Sequence, residues 1–125
     1  MRVLIVDNSN AVRQRLLELV CAASGVERVW QAADAAAALE LVRSQPVDVA
    51  VVDLALGSHN GLDLIDELRA ERSQLLIIVL TNSSTEAHRD ECLRRGAHFF
   101  FDKSHDFDRA IAVLSRITSA RRASL

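Results

Sequence analysis

Five short apolar segments, each followed by a stretch with helical periodicity, constrain the fold of this chain more than any other feature. Most of them are nearly continuous in apolar residues instead of alternating, which is typical of strands in a parallel sheet covered on both faces. Right-handed crossovers between such strands predict an α/β doubly wound fold of five strands and five helices. The predicted strands are 2–6, 26–31, 47–52, 75–80 and 99–101.

The segments between the predicted strands have apolar residues three and four positions apart, as helices that cover a sheet do. Residue types that cap helices stand near the predicted beginnings, and Gly25, Pro46 and Gly96 follow predicted ends. The candidate caps or first residues are, in chain order, Asn8 or Ser9, Asp34, Ser58 or Asn60, Thr85, and Ser104 or His105.

The composition fits one globular domain, predicted to span residues 1–125, with 50% of the residues hydrophobic. The net charge is −2, and no basic field argues for direct contact with nucleic acid. No apolar run approaches the roughly 20 residues that a membrane span needs, and the N-terminus does not resemble a signal peptide. We therefore expect a cytoplasmic protein that is not bound to a membrane.

The two cysteines, Cys21 and Cys92, lie far apart in the sequence and lack the spacing of metal ligands. We interpret both as reduced thiols on helices, in agreement with a cytoplasmic location, and a disulfide between them is the disfavoured alternative. The four histidines form no ligand motif, so a zinc site is not expected.

Polar side chains stand at the ends of four of the five predicted strands. Lys103, which follows the fifth, is the only lysine beside fourteen arginines, and this ratio indicates a position that requires a compact ammonium. The carboxyl ends of parallel strands meet at one rim, where open α/β sheets bind ligands, so we expect these side chains to converge. The others are Asp7 and Asn8 after the first strand, Asp53 after the third and Thr81 at the end of the fourth.

This set of side chains has the chemistry of phosphoryl transfer. Two carboxylates with an amide oxygen make a small site for a hard cation, and Mg²⁺ suits it because that ion keeps several waters. Lysine can neutralise a phosphate oxygen, threonine can donate a hydrogen bond to another, and a carboxylate can be the nucleophile. Asp53 is the candidate nucleophile because it is the central acid. Each residue alone could be a cap or a turn former, but their conjunction at four strand ends favours the functional interpretation.

The pattern resembles the receiver domain of two-component response regulators over essentially the whole chain. The resemblance implies a flavodoxin-like parallel sheet in the strand order 2-1-3-4-5. The segments that carry it are Val3–Asn8, Val51–Asp53, Val79–Thr81 and Phe101–Ser104, together with Gly61 beyond the central acid.

The resemblance also implies the roles of the residues at the strand ends. Asp53 would accept a phosphoryl group from a histidine kinase or a phosphotransfer protein, with Mg²⁺ required. Lys103 would contact the phosphate and Thr81 would be the switch hydroxyl, which completes the predicted catalytic set. The predicted metal-binding residues are Asp7, Asn8, Asp53 and Ala55.

Phosphorylation is expected to reshape a face built from the fourth helix, the fifth strand and the fifth helix. The partner at that face would be a downstream protein or an effector domain outside this chain, and a homodimer is left open. The protein would catalyse only its own phosphorylation and dephosphorylation, and would not be an enzyme for a separate substrate. The alternative is a degenerate receiver that binds proteins independently of phosphorylation, which Asn8 makes conceivable. A flavodoxin-like or hydrolase-type enzyme is disfavoured because the sequence has no glycine-rich phosphate loop and no nucleophile elbow.

Several residues depart from the receiver pattern. Phe100 stands where tyrosine is common, and of the three consecutive phenylalanines at least one should lie near the surface, because neighbours on a strand face opposite sides. Ser104 replaces the proline usual after the lysine, and we expect a trans peptide bond before it, since a cis bond without proline costs about 3 kcal/mol. Ala55 and Ser83 are small and flank the pocket, which predicts poor obstruction of water and fast loss of phosphate.

Asn8 stands where many receivers have a second acid, so the pocket has one negative charge fewer. We predict that Asn8→Asp strengthens Mg²⁺ binding by at least about 1 kcal/mol, the attraction of two unit charges 4 Å apart in bulk water. Calorimetric titration with MgCl₂ measures this change. An unchanged dissociation constant in Asn8→Asp would contradict the prediction.

Overall fold

The computed structural model describes residues 1–57, 59–82 and 85–123, without the side chains of residues 59 and 121–123. The predictions that concern Ser58 and Ser83 lie outside the described residues. The main strands are β1 (Arg2–Val6), β2 (Arg28–Ala32), β3 (Val49–Val52), β4 (Leu76–Thr81) and β5 (Phe99–Asp102). They form one parallel sheet in the order β2-β1-β3-β4-β5, which confirms the predicted order. A short antiparallel pair, Ala55–Leu56 with His59–Asn60, follows β3.

Helices alternate with the strands, as predicted. They are α1 (Asn10–Cys21), α2 (Ala35–Ser44), α3 (Gly61–Glu71), α4 (Glu86–Arg94) and α5 (Phe107–Ala123). Side-chain oxygens cap the first four helices by accepting a backbone N–H two or three residues further on. The capping residues are Ser9, Asp34, Asn60 and Thr85. No helix in the described ranges combines the length and the apolar composition needed to cross a bilayer.

The two faces of the sheet bury two separate apolar clusters. All four residues of β3 are buried, and they alternate between the faces. Ala50 and Val52 join the cluster beneath α2 and α3, whereas Val49 and Val51 join the cluster beneath α1 and α5. This double coverage is the reason why the run is continuously apolar.

The strands β2 and β3 begin two residues later than the sequence pattern predicts. Val47 is buried although it precedes β3, so its apolar character reflects burial and not strand pairing. At the entry to β3, Asp48 donates its N–H to the Arg2 carbonyl at 2.9 Å, and its carboxylate accepts the Arg2 N–H at 2.7 Å.

The helix α5 begins at Phe107, and Ser104 and His105 lie just before it, near its start as expected. The carboxylate of Asp102 accepts the N–H groups of Ser104 at 2.7 Å and of His105 at 3.1 Å, so a turn precedes the helix. Among the described residues no peptide bond is cis, and the bond between Lys103 and Ser104 is therefore trans, as predicted.

Both cysteines lie on helices as free thiols, as predicted. Cys21 is exposed at the end of α1, and Cys92 is buried within α4. Burial raises the pKa of Cys92 to about 11, so this thiol stays protonated at neutral pH and packs as an apolar side chain.

Gly61 permits a close contact between the start of α3 and the segment that follows Asp53. A Cβ atom at position 61 would lie 2.4 Å from Leu54 Cα and 2.5 Å from the Leu54 carbonyl oxygen. Both are backbone atoms, so no side-chain rotation could relieve the contact. Gly61 thus fixes the path of the chain directly after Asp53.

We predict that Gly61→Ala lowers the free energy of unfolding by about 2 kcal/mol, a usual cost of overpacking. Gly57→Ala is the matched control, because a Cβ atom there meets nothing within 4 Å. An alanine at position 57 would have to adopt a positive φ, which costs about 1 kcal/mol. Urea denaturation measures both losses, and a loss at position 61 no greater than at 57 would show that the contact with Leu54 has no effect.

Candidate functional site

The amine of Lys103 lies between two buried carboxylates at the carboxyl ends of the strands. Its Nζ donates hydrogen bonds to Asp7 Oδ2 at 2.6 Å and to Asp53 Oδ2 at 2.8 Å. Asp7 and Lys103 are 96 positions apart in the sequence. The parallel order of the sheet brings them together, because β1, β3 and β5 all end at the same rim.

Backbone hydrogen bonds just beyond the strands hold these three residues in place. The N–H of Asp7 donates to a carbonyl of β2 at 3.1 Å, and that of Asp53 donates to a carbonyl of β1 at 2.9 Å. The N–H of Lys103 donates to the Thr81 carbonyl at 2.9 Å. The backbone of each residue is thus fixed by a neighbouring strand, and the side chains converge from rigid positions.

The other oxygen of each carboxylate binds a local backbone N–H. Asp7 Oδ1 accepts from Ser9 at 2.9 Å, and Asp53 Oδ1 accepts from Ala55 at 3.2 Å. Turns in which an aspartate accepts an N–H two residues further on are common at strand ends. Here the two turns orient the carboxylates, so that both Oδ2 atoms face Lys103.

The site is largely removed from water and has an excess of negative charge. Asp7 is 2% exposed and Asp53 is 5% exposed. Burial of the ammonium lowers the pKa of Lys103, but the hydrogen bonds to Asp53 and Asp7 outweigh it, and the net shift is upward. Lys103 is therefore charged at neutral pH, and one cation faces two carboxylates.

The remaining predicted residues lie at the same rim. Thr81 is fully buried at the end of β4, and it lies opposite Asp102 in the register of β4 with β5. Asn8 is exposed directly after Asp7, and Ala55 is exposed two residues beyond Asp53. The structure thus joins Asp7, Asp53 and Lys103 by direct contacts, and it joins Thr81 to them through its backbone carbonyl.

The donor chemistry of this rim fits a hard divalent cation. Two carboxylates share one ammonium. The next residue after Asp7 is the exposed Asn8, whose amide is a neutral oxygen donor by residue type. Within residues 1–57, 59–82 and 85–123 no group of three or more His, Cys, Asp or Glu side chains could hold a metal ion. An ion would therefore depend on Asp7 and Asp53, on neutral oxygens of residues such as Asn8 and Ala55, and on water.

Sequence reasoning missed two groups at this rim. The guanidinium of Arg13, in the first turn of α1, donates to the Asp7 carbonyl and to the Asn10 side chain. The hydroxyl of Ser104 donates to Asn82 Oδ1 at 3.0 Å. The position of Arg13, one turn after a capped helix start, is a signal that could have been used. The pair of Asn82 and Ser104 has no such signal in the spacing of the sequence.

The three phenylalanines of β5 differ in exposure, as predicted. Phe99 is 36% exposed and Phe101 is 8% exposed, and their rings stack with centroids 6.2 Å apart. Phe100 lies on the opposite face and packs against the cluster beneath α2 and α3. Phe99, the exposed Leu93 and Arg116 help to line a cavity of about 430 Å³ between α4, β5 and α5.

The comparison with known families decides how this geometry is classified. A sequence profile described as the response regulator receiver domain matches residues 3–115. This chain belongs to the response regulator receiver domain family. The match includes Asp7, Asp53, Thr81 and Lys103, and the parallel sheet described above is the fold shared with solved members.

Individual response regulators support the same assignment. The nitrate/nitrite response regulator NarP of Escherichia coli is 30% identical over 105 residues, which are 84% of this chain and 49% of NarP. A LuxR-family response regulator from Aurantimonas is 26% identical, with a TM-score of 0.86 over 95% of this chain and 85% of that one. A Burkholderia pseudomallei response regulator, solved with a phosphorylated aspartic acid, a calcium ion and citrate, is 26% identical, with a TM-score of 0.81 over 98% and 71%. This chain spans about half the length of the curated relatives it matches.

We predict that Lys103→Met lowers the free energy of unfolding by about 3 kcal/mol at pH 7 without divalent cations, because two buried carboxylates lose their cation. The pKa of Lys103 is raised in the folded state above its ordinary 10.5. Its contribution to stability is therefore complete below pH 10.5 and is lost as the pH rises through the folded-state value. Urea denaturation of both proteins with EDTA, between about pH 7 and 11.5, measures the difference.

Arg109→Met is the matched control for this measurement. Its guanidinium is an exposed cation that pairs with Asp106 at 3.5 Å, and exposed pairs contribute less than about 1 kcal/mol. A loss in Lys103→Met no greater than in Arg109→Met, or a difference from the unsubstituted protein that grows above pH 10.5, would contradict the prediction.

Proposed function

We propose that this receiver domain is a phosphorylation-controlled switch in which Asp53 accepts a phosphoryl group from the phosphohistidine of a histidine kinase or phosphotransfer protein. The observation that carries the proposal is the contact of Lys103 Nζ with both Asp7 and Asp53 in a buried rim. A structural ion pair requires only one acid. The second acid leaves a surplus of negative charge, which suits the binding of a divalent cation beside the acceptor.

In the proposed transfer, a carboxylate oxygen of Asp53 attacks the phosphorus atom of the donor. A P–O bond forms and gives an acyl phosphate, while the P–N bond to the donor imidazole breaks. The electron pair of that bond stays on the imidazole nitrogen, which takes up a proton. The ammonium of Lys103 neutralises charge on the phosphoryl oxygens, and its rigid attachment avoids reorganisation during the reaction.

Mg²⁺ would supply further neutralisation at the phosphoryl group when bound. Under this proposal Asp7, Asn8, Asp53 and Ala55 hold the ion. Thr81 donates a hydrogen bond from its hydroxyl to the phosphoryl group and thereby reports phosphorylation to α4. The Burkholderia relative supports an aspartate as the phosphoryl acceptor and a divalent cation as its companion. Its structure contains a phosphorylated aspartic acid and a calcium ion, another divalent cation that binds oxygen ligands.

We assign the output to the face built from α4, β5 and α5. The exposed side chains of Leu93 and Phe99 lie there beside the cavity lined by Arg116, and exposed apolar side chains next to a cavity are typical of binding surfaces. The partner would be a downstream protein, an effector segment outside this chain or a second copy.

The two free thiols fit a cytoplasmic location for the domain under this proposal. The domain then acts by binding and not as an enzyme on a separate substrate.

A receiver that binds proteins independently of phosphorylation is the weaker candidate. Such a module would have no need of Lys103 between two buried acids, because a charge cluster of this kind is costly to bury. Asn8 alone supports it, and an amide oxygen still coordinates a hard cation.

Incubation with acetyl phosphate and MgCl₂, followed by intact-mass spectrometry, tests the proposed function. We expect a mass gain of one phosphoryl group. No gain should occur when EDTA is added before the donor. Asp53→Asn should abolish the gain, because the amide is not a nucleophile at neutral pH. The matched control is Asp63→Asn, an exposed acid in the first turn of α3, which should retain the gain.

Two outcomes would overturn the proposal. One is the absence of any mass gain together with no binding of beryllofluoride in the presence of Mg²⁺. The other is a mass gain that persists in Asp53→Asn, which would place the acceptor elsewhere. The first outcome would favour the phosphorylation-independent module.

A further inference from the structure

One side-chain hydrogen bond connects the segments that follow β4 and β5. Ser104 Oγ donates to Asn82 Oδ1 at 3.0 Å, and both residues are exposed at the rim. Asn82 directly follows Thr81, and Ser104 directly follows Lys103. The bond therefore joins the neighbours of the two groups that are to contact the phosphoryl group.

A turn on the other side of Ser104 anchors this bond. Asp102 Oδ1 accepts the N–H of Ser104 at 2.7 Å and that of His105 at 3.1 Å. The N–H of Asp102 donates to Asp106 Oδ2 at 3.3 Å, so the turn is also tied to the residue before α5. Ser104 is thus held through its backbone by Asp102, and its hydroxyl is free to donate to Asn82.

We propose that Asn82 and Ser104 are positioning residues for phosphoryl transfer to Asp53, and that their hydrogen bond holds Lys103 and Thr81 at the separation that the reaction needs. This inference rests on the proposed function. The bond from the Lys103 N–H to the Thr81 carbonyl, at 2.9 Å, fixes the strand ends. The side-chain bond fixes the next residue on each side, where the chain leaves the sheet.

The residue type at position 104 suits this role. A proline there would lack the N–H that Asp102 binds and would offer no hydroxyl to Asn82. Serine supplies both donors. Two hydrogen bonds therefore restrain the chain at position 104, where proline would restrain it through its ring. Because phosphoryl transfer depends mainly on position and charge, a looser Lys103 is expected to slow the reaction at an unchanged net charge.

Rates of mass gain from acetyl phosphate and MgCl₂ test the inference in the full chain. We expect Ser104→Ala and Asn82→Ala each to slow phosphorylation by roughly two- to tenfold, the range for one hydrogen bond. The double variant should be no slower than either single variant, because both changes remove the same bond. Ser104→Thr, which keeps the hydroxyl, should react within about twofold of the unsubstituted rate.

Ser73→Ala is the matched control, since Ser73 is an exposed serine before β4, at the opposite end of the sheet. It should leave the rate unchanged. Unchanged rates in both single variants, effects that multiply in the double variant, or a Ser104→Thr variant as slow as Ser104→Ala would each overturn the inference. Urea denaturation of every variant shows that the compared proteins are folded at the assay temperature.

Hydrogen exchange of the Lys103 amide, measured by NMR on the unphosphorylated protein, separates this inference from the proposed function. If the unsubstituted protein gains no phosphoryl group, the proposed function fails. Faster exchange of the Lys103 amide in Ser104→Ala and Asn82→Ala would then still show that the hydrogen bond between Asn82 and Ser104 restrains Lys103. An unchanged exchange rate would overturn the inference. If the unsubstituted protein is phosphorylated and the variants react at the same rate, the inference fails alone.

Discussion

The ammonium of Lys103 between the carboxylates of Asp7 and Asp53 is the interaction on which the site depends. Two buried carboxylates within reach of one nitrogen would repel each other strongly without it, because repulsion grows as the dielectric constant falls. Burial opposes the charged lysine, yet the two acids outweigh burial and raise the pKa of Lys103. The arrangement is still negative by one charge, and this surplus suits a divalent cation.

The apolar core fixes the strand ends from which Asp7, Asp53 and Lys103 extend. β3 is buried on both faces, and its last residue leads directly into Asp53. The contact of Gly61 with the Leu54 backbone fixes the chain on the other side of that acid. Asp53 is therefore held by the sheet before it and by α3 after it, and the backbone around it has little conformational freedom.

The sequence predicted those parts of the fold that repeat a simple pattern. The order of elements follows from apolar periodicity, and the cap at Asp34 follows from residue type. The starts of β1 and β5 followed from the same pattern, but those of β2 and β3 did not. At β3 the reason is that Val47 is apolar because it is buried, although it lies outside the ladder. Strand order required the family resemblance, since periodicity does not say which strands are neighbours.

At the site, too, the sequence predicted only the residues that follow a regular pattern. The set of acids, Thr81 and Lys103 is visible because each residue stands at a strand end, and parallel strands end together. The bond between Asn82 and Ser104 joins exposed polar residues 22 positions apart, which no periodic pattern indicates. The turn before α5 likewise depends on the carboxylate of Asp102, which binds the backbone N–H groups of Ser104 and His105.

Crystal structures of the free domain and of its complex with beryllofluoride and Mg²⁺ test the central claim most directly. The account predicts that Lys103 Nζ contacts both Asp7 and Asp53 in the free domain. In the complex, the ion should lie between the two acids, and the amine should contact the fluoride group on Asp53. An amine well away from Asp53 in both structures, with no room for an ion between the acids, would contradict it.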